Sequence, residues 1–168
     1  MIASFNGKTP RLANSAFISR TACIIGDVEV DEGAGIWPGA VIRADFGLTK
    51  IGRNSQIEDN CVLHSGGPMD IAENVIVGHG AVVHGLKVGK YTLIGCNAAI
   101  STDVEIGEFC LIAAGCAIAE GVKIPDRSFV AGVPGKIRGE VSQEYIDRMF
   151  YNVKTYADLA QQYKEHGL

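Results

Sequence analysis

The sequence predicts a mainly β chain, a parallel β-helix of hexapeptide repeats followed by a C-terminal α-helix. Three observations carry that reading: aliphatic residues recur every six positions, small residues fill fixed places between them, and the period becomes helical near the end. A six-residue period fits neither an amphipathic helix nor an alternating hairpin strand. It fits a solenoid in which each hexapeptide makes one short strand and one corner.

The first run places Ile18, Ile24, Val30, Ile36 and Ile42 six residues apart. The register resumes at Ile51, Ile57 and Leu63, then at Ile71, Val77 and Val83. It closes with an unbroken series from Val88 through Ile94, Ile100, Ile106, Ile112, Ile118 and Ile124 to Val130. Three hexapeptides close one triangular coil, with the aliphatic side chain aimed at the axis. Four residues after these positions stand small side chains such as Cys61, Ala98, Cys110 and Cys116, which suit an inward place beside a corner. The solenoid is expected over about 12–135 and the whole chain, 1–168, is expected to be one domain. Between the runs the register breaks at DFGLTK and SGGPMD, and one residue is missing between Val83 and Val88. Such breaks map to loops on one face, often the binding face. After GVPGKIRG, apolar residues fall at Ile146, Met149, Val153, Tyr156, Leu159 or Ala160, and Tyr163. That spacing predicts an amphipathic helix over about 142–164, capped by Ser142 and packed on the outside of the prism.

Composition narrows the function classes. Glycine, at 21 of 168 residues, is enriched as tight corners require. A net charge of −4 without a Lys/Arg run gives no footprint for nucleic acid or an anionic membrane. No apolar run reaches the ~18 residues of a membrane span, and MIASFNGKTP lacks the apolar stretch of a signal peptide. The five cysteines contain no CxxC pair and read as small buried thiols in a reducing, cytoplasmic setting.

Three of the four histidines, His64, His79 and His84, lie in HSGGPMDIAENVIVGHGAVVHG. His64 and His84 each follow a register residue directly, one full coil apart. They therefore stand on one face at roughly the 4.8 Å strand spacing and can share a zinc ion. His79 belongs to the intervening repeat and faces another side of the triangle. In a threefold assembly it would meet the His64/His84 side of a neighbour, so the spacing implies a homotrimer with metal between subunits. Surface imidazoles in a glycine-rich turn are the plainer alternative, and His166 takes that reading.

The segments RAD (Arg43 to Asp45), EDNCVLH (Glu58 to His64) and GHGAVVHG (Gly78 to Gly85) resemble the gamma-class carbonic anhydrase-like proteins. The resemblance extends to Tyr156–Ala160 in the helix. It implies a left-handed β-helix, a homotrimer, and a Zn²⁺ held by His64 and His84 of one chain and His79 of the next. It also implies ion pairs of Arg43, Asp45 and Asp59 across and beside the subunit contact, and Tyr156 or Asn152 lining the site. Zinc is the expected metal, with Fe²⁺ or Co²⁺ also suited to imidazole. Three neutral imidazoles leave the ion an open position where water ionises near neutrality and attacks CO2, giving bicarbonate. The catalytic residues expected beside the ion are thus Glu58, Arg43, Asp45, Asp59 and Tyr156.

Two departures from the family pattern stand out. Glu58 replaces the family's glutamine, and Gln56 lies two residues earlier on the same strand face. A carboxylate there can act as a base, ligate the metal, or raise the pKa of bound water. The loop after His64 is short and offers only Asp70 where the best-characterised type has a long acidic proton shuttle, so activity is expected to be low. An acyl-CoA thioesterase or CoA-dependent acyltransferase on the same scaffold is the enzymatic alternative, and a non-catalytic trimeric metal-binding scaffold is the other.

Overall fold

In a computed structural model, described over all residues 1–168, the chain winds as a left-handed β-helix of triangular section. Strands of successive coils pair in parallel on three faces. The first face stacks Cys23, Val41, Val62, Val82, Ala99 and Ala117 in register. The second stacks Arg11, Glu29, Lys50, Asp70, Lys87, Glu105 and Lys123. The third stacks Phe17, Gly35, Gln56, Ile76, Leu93, Leu111 and Phe129. These are the outward positions, because successive side chains of a strand alternate between faces. The next residue in each strand points inward, and Ile24, Ile36, Ile42, Ile57, Leu63 and Val83 are fully buried along the axis. Burying each such side chain contributes roughly 1.5–3 kcal/mol, so the six-residue register is the main stabilising pattern.

The three outer surfaces differ in chemistry. The third is apolar and is covered by the helix Gln143–Glu165, which packs against strands Phe17–Ile18, Gly35–Ile36 and Gln56–Ile57. The Ser142 side chain accepts a hydrogen bond from the Tyr145 amide at 3.2 Å and starts that helix. Ile146, Met149, Val153 and Ala160 are its buried residues. Near its C-terminal end Tyr156 and Tyr163 meet Trp37 edge-on, at 5.9 and 5.1 Å between ring centroids. The second surface is a ladder of alternating charge, Arg11 against Glu29 at 2.8 Å and Glu105 against Lys123 at 2.9 Å among its rungs. The first surface carries small aliphatic side chains with nothing over them; Val82 is 41% exposed.

DFGLTK is not a loop. It continues one strand, Val41–Ile51, that bends from the first face onto the second. Its extra residues stay extended because Cys23–Val30 pairs along it, with a register irregularity between Gly26 and Val28 that absorbs the mismatch. SGGPMD ends in the short strand Met69–Ile71. The two insertions abut: a Cβ on Gly47 would lie 2.5 Å from the Pro68 nitrogen. The winding also begins before residue 12, since Ile2–Ala3 pairs with Ile24 and Ile25. A tight excursion bridged between Phe5 and Lys8 interrupts the six-residue pattern there.

Candidate functional site

The chemistry-bearing residues gather at the two edges of the uncovered first face. At the edge where the chain leaves that face, Arg43 and His64 are register partners on adjacent strands, and His84 follows one coil on, its amide donating to the Ile100 carbonyl at 2.8 Å. His64 Nδ1 and His84 Nε2 stand 3.1 Å apart. Asp45 lies two residues beyond Arg43 on the extended strand. Its Oδ2 accepts from Arg43 at 2.7 Å and meets His64 Nε2 at 3.2 Å. Burial, with His64 and Arg43 nearby, holds His84 below the usual imidazole pKa. That environment favours the neutral ring, which has a lone pair to give.

At the edge where the chain enters the face, His79 sits in the corner after Ile76–Val77. The following residue, Gly80, has φ +70°, and a Cβ there would lie 2.5 Å from the Asn97 Oδ1 of the next coil. Glycine suits this left-handed corner that presents His79, as asparagine does at Asn60 and Asn97. Its Nδ1 meets Asp59 Oδ2 at 2.9 Å and its Nε2 meets Glu58 Oε2 at 3.1 Å. The same Glu58 oxygen accepts from the His79 amide at 3.1 Å. The Glu58 side chain is only 5% exposed. Tyr156 lies near this carboxylate on the helix, and burial, with the Glu58 charge beside it, pushes its phenol up to about 12.

The eight site residues expected from sequence thus divide into two sets: Arg43, Asp45, His64 and His84 at one edge, Glu58, Asp59, His79 and Tyr156 at the other. The three histidines do not converge within one chain, and no group of three or more His, Cys, Asp or Glu side chains is placed to hold a metal there. Arg43 pairs with Asp45 in its own chain, whereas Asp59 meets only His79. Three expectations need correction. Gln56 does not lie with Glu58 at the site: its Oε1 accepts from Trp37 Nε1 at 2.9 Å beneath the helix. Asp70 stands in the charge ladder of the second face, between Lys50 and Lys87. Of the cysteines, Cys61, Cys110 and Cys116 are buried, and burial pushes the Cys61 thiol up to about 12, but Cys23 and Cys96 are only half-buried. Sequence reasoning missed Phe46, 67% exposed, whose ring lies 5.8 Å from that of His64. An apolar residue inside an insertion gave no signal.

Comparison with known proteins places this arrangement. The chain is 45% identical over 152 residues to a protein of Methanocaldococcus jannaschii named "Probable carbonic anhydrase", covering 89% of this chain and 96% of that one. It is 32% identical to mitochondrial gamma carbonic anhydrase 2 of Arabidopsis thaliana, covering 92% of this chain and 58% of that one. Among solved structures, a Bacillus cereus protein named for acetyl transfer, the product of the BC4754 gene, superposes with a TM-score of 0.92 at 35% identity. It covers 98% of this chain, which in turn covers 96% of it. No family model matches the chain.

Proposed function

The chain belongs to the gamma-class carbonic anhydrase-like family, and from that premise we propose that it converts CO2 and water reversibly to bicarbonate at a zinc ion held between subunits of a homotrimer. The observation that carries this reading is the spacing of the histidine pair. Two donors on ~2.0–2.1 Å bonds to a tetrahedral ion stand about 3.3 Å apart, and the His64 and His84 nitrogens stand 3.1 Å apart. Asp45 takes the other nitrogen of His64 and, braced by Arg43, fixes the ring's orientation, as carboxylate partners of metal-bound imidazoles do.

The third donor is supplied by assembly. His79 lies at the opposite edge of the same face, so a neighbouring copy packed on that face would present His79 to the pair. The face suits such packing: Val62, Val82, Ala99 and Ala117 form a small-residue aliphatic surface that the helix leaves bare. Asp59 would keep His79 Nδ1 and leave Nε2, which faces Glu58, to the ion. It would also offer its free oxygen to Arg43 of the neighbour, joining the two sets. The ion, when bound, supplies Lewis acidity enough to make water a nucleophile near neutral pH. Phe46, exposed beside His64, gives an apolar approach suited to CO2.

Metal content per chain, measured on tag-free protein, tests the proposal. Close to one ion per chain, lost in His79→Ala, and CO2 hydration that disappears with it are expected. A metal-free trimer would sink it. The Bacillus cereus relative's name favours acyl transfer as the second reading, and assay of the same preparation with acyl-CoA separates the two.

A further inference from the structure

We propose that Glu58 is a fourth protein ligand of the metal, so that the resting site is closed by a carboxylate instead of open. The inference rests on the shared-site reading and adds a condition to it: water must displace the carboxylate before hydration can begin. Glu58 Oε2 lies 3.1 Å from His79 Nε2, the same separation as between the His64 and His84 nitrogens. Both distances suit two donors on one tetrahedral ion at ~2.0–2.2 Å. One edge of the face thus offers an N,N pair and the other an N,O pair.

Electrostatics support the assignment. The Glu58 side chain is only 5% exposed, and no Lys or Arg in the chain pairs with it. His79 alone faces it as a possible cation. A buried carboxylate is costly without a positive partner. With His79 bound to the ion through Nε2, the Glu58 oxygen that faces that nitrogen also faces the dication. The carboxylate keeps the His79 amide as a donor. Asp59, 38% exposed, has solvent to stabilise it and carries no such requirement.

The test is spectroscopic and uses the full chain loaded with Co²⁺. A closed four-coordinate site leaves the visible spectrum unmoved by added azide, because no position is open to it. In Glu58→Gln, azide should shift the spectrum, and the affinity for Zn²⁺ should fall at least ~10-fold, the lower bound seen when even orienting partners are lost. Azide shifting the wild-type spectrum, or an affinity unchanged in Glu58→Gln, would overturn the assignment while leaving the histidine site intact. Wild-type protein that takes up no Co²⁺, or uptake that survives His79→Ala, would instead bring down the shared site and the Glu58 ligand together.

Discussion

The two edges of the uncovered face are built from the same residue types and balance charge in opposite ways. At the exit edge one carboxylate, Asp45, is shared between Arg43 and His64, and the second His64 nitrogen is left to face His84. At the entry edge two carboxylates flank both nitrogens of His79, with no Lys or Arg among them. One edge has donor atoms in waiting; the other has excess negative charge in waiting. In the proposed assembly, each edge supplies what the other lacks.

The largest effect expected from that contrast comes from mixing. Chains with His64→Ala and chains with His79→Ala should each lose essentially all bound metal. Co-expressed, they should regain part of it, since one mutant keeps the pair and the other keeps the third ligand. Metal analysis of the mixed assembly decides the matter; no recovery would mean that the edges do not meet.

Next in size is a comparison of faces. Val82→Glu should break the oligomer to monomers, read by sedimentation, because it buries an unpaired charge in the proposed contact. Glu105→Lys on the second face should leave the oligomer intact and cost only about 0.2–1 kcal/mol through like charges at Lys87 and Lys123. At the exit edge, Asp45→Asn should weaken metal binding about 10-fold by loosening His64, measured by competition with a chelator.

The smallest effect belongs to Tyr156→Phe, which removes the hydroxyl beside Glu58 and should cost at most about 1 kcal/mol in urea unfolding. The folded phenol titrates higher than the unfolded one, so its contribution is complete below about pH 10 and is lost only as pH rises through about 12. The difference between variant and wild type should therefore be equal at about pH 6 and about pH 9.

Much of this was legible in the residues. The aliphatic register marks the coils because an inward place on a triangular prism recurs every six residues. The His64/His84 neighbourhood follows from the same count, since equivalent corners stack. Contacts between elements that the period does not relate were hidden. Nothing in the spacing says how deeply the helix docks, so neither the nearness of Tyr156 to Glu58 nor the capture of Gln56 by Trp37 could be read. DFGLTK looked like a loop because insertion length was visible and its partner was not. Only pairing with Cys23–Val30 keeps it extended.

The alternating ladder of the second face constrains how this chain can grow. Every rung sets opposite charges on adjacent coils, from Arg11 to Lys123. A nascent chain that skipped a coil would lay Arg11 against Lys50, or Glu29 against Asp70, placing one like-charge rung at the join. The ladder therefore disfavours that misthreading. Duplication or loss of a single coil leaves one such fault, about 0.2–1 kcal/mol, at the join, whereas a change of two coils leaves none.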